Sequence, residues 1–230
     1  MSDKSKEVIP LRTQLKHGLS NFLQKYRTVL IGIVAVIIVV LVGLAIWSQI
    51  DASTKKDYAS RIEKSQDDFV SWQSESDLTK KETLGRALED ELSAVERNAP
   101  VSYGLLKALF LHGNFLAEEK KWSEASKVYA AISEKDPQSY LAPIGMVNAS
   151  VCQEEAGDLV AALALLDGFL KTYSINQVLA PQVYFTKGHL LELQLKTADA
   201  LAAYKALLEK YPESNWTKLA HDRIILLGSE

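Results

Sequence analysis

Nineteen consecutive residues without a charge, Val29 to Trp47 (VLIGIVAVIIVVLVGLAIW), constrain this chain more than any other feature. The uncharged window extends from Thr28 to Ile50. Coiled as a helix, nineteen residues rise about 28 Å, close to the thickness of a bilayer's hydrocarbon core. Val and Ile occur on every face, so the stretch lacks the polar stripe of a surface helix. A buried core helix of this length does not suit a chain whose remainder is amphipathic. A secretory signal has a shorter apolar core followed by a small-residue cleavage site, whereas here 27 residues precede the core and Trp47, Gln49 and Ile50 follow it. Residues 28–50 are expected to form one retained membrane helix.

The flanks orient it. Residues 1–27 carry six basic side chains against two acidic ones, and Asp51 to Val70 carry four against five. Lys and Arg near the membrane favour the cytoplasmic side, so the N-terminus is expected inside and the C-terminal domain outside, in a bacterial periplasm or its equivalent. Leu11, Leu15, Leu19, Phe22, Leu23 and Tyr26 recur at helical spacing, which predicts that 1–27 is a short basic amphipathic segment on the inner leaflet.

A formal net charge of −3 gives no electrostatic reason to bind nucleic acid. The single cysteine, Cys152, rules out an intramolecular disulfide and any multi-cysteine metal site, and its place in a helical stretch predicts a packed thiol. His17, His112, His189 and His221 are not paired at metal-ligand spacing, and no nucleophile elbow, phosphate-binding loop or HExxH motif occurs. The chain is expected to have no enzyme activity, no cofactor and no small-molecule substrate.

Beyond the apolar stretch the pattern is helical throughout. Tyr58, Ile62, Phe69 and Trp72 mark one face; after the polar turn SESD, Leu84, Leu88, Leu92 and Val95 mark the next, and Pro100 closes it. Residues 51–100 thus read as a membrane-proximal helix pair. An internal period follows. Gly113 is followed by Ala125, Tyr129 and Pro137, and Gly188 by Ala200, Tyr204 and Pro212. Between them lie Ser150, Gly157, Ala162 and Leu166, with Ser174 where the proline would stand. The small-residue slots fall at 88, 125, 162 and 200, spaced 37, 37 and 38 residues apart. Periods of this size signal stacked helix pairs.

These residues resemble the tetratricopeptide repeat, whose unit is about 34 residues. The extra residues are expected in loops around Pro137–Pro143 and Ser174–Pro181. The expected fold is all-α: one N-terminal transmembrane helix, then an α-solenoid of helix pairs over 101–230 ending in a capping helix from about Ser214, with Trp216, Leu219, Ala220 and Ile224 facing inward. The resemblance assigns repeat packing to Gly113, Ala125, Tyr129, Gly157, Ala162, Gly188, Ala200 and Tyr204. It also implies that the first helix of each pair lines a concave groove. That groove would comprise Lys107, Phe110, Asn114, Ala117 and Glu118; then Ile144, Val147, Val151, Glu154 and Glu155; then Gln182, Phe185, His189, Glu192 and Leu193. The result is an apolar floor rimmed by acids, suited to hydrophobic or basic peptide segments. Only Lys107 and Asn114 fit the basic, Asn-rich clamp with which some such proteins grip a carboxylate-terminated tail.

The whole arrangement, with the basic segment LSNFLQKYRTV, one membrane helix carrying Trp47 and then repeats, resembles the YfgM-like family. That resemblance implies an inner-membrane adaptor whose partners are translocon subunits, periplasmic chaperones or exported chains. A structural scaffold that holds one folded partner in a secretion or cell-division assembly is the other expectation.

Overall fold

The computed structural model describes residues 11–228, with side chains from residue 24 onward. The amphipathic reading of 1–27 therefore falls almost wholly outside the described residues and side chains. Nine helices and no strand occur among the described residues. The chain divides into two compact units, Met1–Thr54 and Lys55–Glu230, and α1 (Leu11–Ser74) contributes to both. In the first unit the apolar stretch exposes nearly all its side chains, and its most apolar window has none buried among the described residues. It is long and apolar enough to cross a membrane.

The second unit is a row of antiparallel helix pairs. The last turns of α1 pack through Ile62, Ser65, Phe69 and Trp72, all buried, at alternating spacings of three and four residues. Ser65 was hidden from the apolar pattern; it keeps its place by donating its hydroxyl to the Arg61 carbonyl one turn back. α2 (Leu78–Asn98) is capped by Asp77, whose carboxylate accepts from the Lys80 amide, and presents Leu88, Leu92 and Val95. Its Gly85 lets Trp72 approach, and the Trp72 ring meets Phe115 edge-on at 4.9 Å.

Three pairs follow: α3 (Tyr103–Glu118) with α4 (Trp122–Lys135), α5 (Leu141–Glu155) with α6 (Leu159–Tyr173), and α7 (Ala180–Leu193) with α8 (Thr197–Lys210). A single helix, α9 (Asn215–Gly228), ends the row. The buried side chains form two clusters, one from Ile62 to Cys152 and one from Ala162 to Ala220.

The repeat slots acquire their physical meaning here. Ala125, Ala162 and Ala200 are fully buried where paired helices cross. Gly113 lies under the ring of Tyr129, and Gly188 under that of Tyr204; a Cβ on Gly113 would stand 2.6 Å from Tyr129 Cε1. The middle repeat solves the same contact differently. Leu166 replaces the ring, which leaves room for Ser150, and the Ser150 hydroxyl donates to the Ala162 carbonyl at 3.2 Å. Gly157 is not a packing glycine, contrary to expectation. It is exposed, with φ +81° and open space where a Cβ would be, because it reverses the chain between α5 and α6. Lys120 and Leu195, both at φ 59°, do the same in the neighbouring repeats.

The extra residues do lie between pairs, in the loops 136–140 and 174–179. Pro143 and Pro181, expected in those loops, instead sit in the first turns of α5 and α7, where a missing amide proton costs nothing. The lengthened loops are held by hydroxyls one repeat on: Tyr173 donates to the Pro137 carbonyl at 3.0 Å, and Tyr211 to that of Ser174. In α9, Ala220 is buried and Trp216 and Ile224 are half-buried, but Leu219 is 49% exposed rather than inward. It lies off the contact face centred on Ala220.

Candidate functional site

The first helices of the three pairs are α3, α5 and α7, and the expected groove residues lie on them with none fully buried. The same spacing of three then four residues sets each row: Lys107, Phe110 and Asn114; Ile144, Val147 and Val151; Gln182, Phe185 and His189. On α3, Phe110 packs edge-on against Tyr129 at 5.6 Å, and Asn114 accepts the Tyr129 hydroxyl at 2.5 Å. Burial raises the pKa of that hydroxyl, so it remains a donor at any physiological pH. Asn114 is therefore engaged in holding the repeat, and Glu118 beside it is exposed and accepts from Gln73. On α5, Val147 reaches the second buried cluster, Val151 is 44% exposed, Glu154 is half-buried and Glu155 exposed. Cys152, one residue on, is buried, and burial pushes its thiol up to about 11.

The third row is covered in part. The Phe185 ring lies between Tyr204 at 5.5 Å and Trp216 of α9 at 5.2 Å. Glu192 accepts from the Tyr204 hydroxyl and is paired with the Arg223 guanidinium, with Arg223 Nε at 3.1 Å. The Arg223 hydrogen bond holds the Glu192 carboxyl below the usual carboxylate range. His189 and Leu193 stay exposed. Sequence reasoning placed Trp216 inward but not against Phe185, and it missed Arg223, yet a signal existed: Trp216, Leu219 and Arg223 repeat the spacing of Gln182, Phe185 and His189. α9 is placed like one more first helix and covers the row before it.

His112 is buried with Nδ1 2.5 Å from a Glu96 oxygen; His221 is exposed, and the His17 side chain lies outside those described. A cleft of about 610 Å³ between α6, α7 and α8 is lined by Leu163, Leu191, Ala203 and Ala206 and spanned by the Lys187–Asp167 pair; it contains none of the expected groove residues.

Stacked helix pairs of 37–38 residues, small residues at the crossings and an array-ending helix define a helical-repeat solenoid of the kind that binds other proteins. The chain belongs to the tetratricopeptide repeat-like domain family, whose pattern it matches over residues 20–224, the apolar stretch included. It is also similar to a TPR repeat-containing protein of Treponema pallidum (strain Nichols), 28% identical over 109 residues, 47% of this chain. The chain spans about half the length of that relative, 45% of it.

Proposed function

We propose that this protein is a membrane-anchored, non-enzymatic adaptor whose repeats bind polypeptide segments on the outer side of a cytoplasmic membrane. The observation that carries the reading is the open part of the first-helix face. Val151, Glu118 and Glu155 are exposed there beside the half-buried Phe110, Val147 and Glu154, while Phe185 of the third row is covered by Trp216 of α9. Such a surface suits apolar or basic segments of unfolded or exported chains, held weakly and briefly. The exposed apolar stretch of α1 supports anchoring, and the excess of Lys and Arg before it supports an inside N-terminus. With the YfgM-like resemblance, these features favour partners at a protein-export channel: translocon subunits, periplasmic chaperones or the exported chains.

A photocrosslinking residue at Val151 in living cells tests this, with captured proteins identified by mass spectrometry. Translocon subunits, chaperones and assorted exported chains are the expected adducts. A silent Val151 with one dominant folded partner captured from Lys127, on the α4 surface, would sink the groove and leave the scaffold. A reporter fused after Glu230 that is active only outside the cytoplasm checks the topology; an expressed but inactive fusion reverses it.

A further inference from the structure

We infer that Asn215, the first residue of α9, is the acceptor of an N-linked oligosaccharide that covers the open end of the repeat array. The inference rests on the proposed outward location of the repeats, since membrane transferases attach such glycans to chains outside the cytoplasm.

Two Asn-x-Ser/Thr triplets occur in the chain, Asn148-Ala149-Ser150 and Asn215-Trp216-Thr217. The fold separates them. The first lies in the middle of α5, with Asn148 half-buried and Ser150 buried. The Ser150 hydroxyl is committed to the Ala162 carbonyl at 3.2 Å. An oligosaccharide there would have to displace neighbouring helices. The second triplet begins where the chain leaves the 212–214 turn. Asn215 is exposed, and its side-chain amide makes no hydrogen bond among the described residues. Glu213, two residues before it and also exposed, offers a transferase a carboxylate to pair with.

The outer face of α9 points the same way. The terminal unit of a repeat array needs a polar outer surface. In α9, Asn215, Leu219, Asp222 and Leu226 recur at steps of four, three and four residues, which is one face of a helix. On that face Leu219 and Leu226 are 49% and 55% exposed. A glycan rooted at Asn215 starts one turn from Leu219 and supplies the polar cover that these side chains lack. Trp216 stands against Phe185 instead, so the glycan leaves the contact between α9 and α7 intact.

Transfer joins C1 of the first sugar to Asn215 Nδ2. The C1–O bond to a polyprenyl diphosphate breaks, the diphosphate leaves with the electron pair, and Nδ2 gives up one proton. In the folded chain the Thr217 hydroxyl donates to the Tyr211 carbonyl at 2.7 Å. A transferase that reads the triplet through this hydroxyl must take it from that carbonyl, so the chain is modified while α9 is undocked.

The test produces the full chain in cells that carry such a transferase, one selecting an acid two residues before its asparagine, with a heptasaccharide on polyprenyl diphosphate. Intact-mass spectrometry should show one added glycan, lost in Asn215→Gln and Thr217→Ala and kept in Thr217→Ser and Asn148→Gln. Phe185→Ala leaves the triplet untouched but loosens α9, so the initial rate of transfer to the purified chain in detergent should rise about threefold. A flexible acceptor pentapeptide fused after Glu230, with its own acid and Asn-x-Thr, reports the side of the membrane. A glycan on the fused acceptor but none at Asn215 overturns the inference and leaves the outward location standing. No glycan on either, in cells that modify another exported acceptor, overturns the outward location and the inference with it. A rate unchanged or lowered by Phe185→Ala overturns the requirement for an undocked α9.

Discussion

Gly113→Ala is the sharpest perturbation of the repeat geometry. Helix propensity alone predicts a gain, because Ala in a helix interior is favoured over Gly by about 0.8–1.0 kcal/mol. Packing predicts the reverse. The new Cβ would stand 2.6, 2.7 and 2.8 Å from three carbons of the Tyr129 ring. Ordinary carbon contacts lie at about 3.5–4.0 Å, so the ring must move by about 1 Å. It has little freedom to do so. Tyr129 is buried, bears edge-on against Phe110 and donates its hydroxyl to Asn114. Overpacking of this kind costs about 1–3 kcal/mol, so against the propensity gain the net effect is a loss of up to about 2 kcal/mol.

Thermal unfolding of the full chain in detergent, followed by circular dichroism, reads this out. For a unit of this size a loss of 1 kcal/mol lowers Tm by about 2–4 °C. The middle repeat supplies the compensating change, since Leu166 there allows Ser150. Tyr129→Leu alone loses the buried ring and its hydrogen bond, about 2–4 kcal/mol. Gly113→Ser with Tyr129→Leu should cost at least 1 kcal/mol less than the sum of the two single changes. A rise in Tm for Gly113→Ala, or strictly additive effects in the pair, would refute the close crossing of α3 and α4.

The reversal positions give a second expectation: Gly157→Ala should cost about 1 kcal/mol, and Leu195→Gly should gain several tenths, because only the glycine fits φ near +60° to +80° without strain; thermal melts decide both. The folded-state carboxyl of Glu192 is held low by Arg223, so its contribution is present above the ordinary carboxylate pKa and fades as pH falls through the lowered value. Glu192→Gln should therefore be less stable than the parent at pH 7, with the gap closing below pH about 4; a gap that widens in acid contradicts the pairing. Cys152, with its thiol pushed up to about 11, should react with a thiol reagent at pH 8 about two orders of magnitude more slowly than free cysteine, and at the ordinary rate once denatured. Tyr211→Phe leaves the Ser174 carbonyl without its donor and should lower stability by about 1 kcal/mol, visible as faster amide exchange in the 174–179 loop.

The repeat frame was legible because it is set by local necessity. A glycine under a ring, a small residue at a crossing and a proline after a helix each leave a mark at fixed spacing. The exceptions are places where two residues share one slot's task. Ser150 departs from the glycine pattern only until Leu166 is considered with it. Gly157 looked like a packing glycine, but at the same point of the cycle Lys120 and Leu195 show that the demand is for a left-handed turn, met elsewhere without glycine. The hydroxyl links from Tyr173 and Tyr211 to the previous repeat were not legible at all. They join residues 36 and 37 positions apart through backbone carbonyls, which leave no trace in side-chain pattern.

The groove itself is a proposal; what the spacing alone did not show is that α9 covers part of it. Each first helix carries the same three-then-four spacing, so sequence alone makes three equivalent rows. α9 carries that spacing as well, with Trp216 against Phe185 and Arg223 against Glu192, and the last row becomes an interface within the protein. On α5, Val151 and Glu155 remain exposed. Arg223 also pairs with Glu192, which leaves Glu118, Glu154 and Glu155 as the acids of the proposed rim. For a partner bound to this face as proposed, the cover that α9 gives Phe185 and Glu192 favours the rows on α3 and α5. Truncation before Asn215 should reopen the third row, and a loss of affinity for apolar basic peptides on that truncation would place their binding on α9 instead.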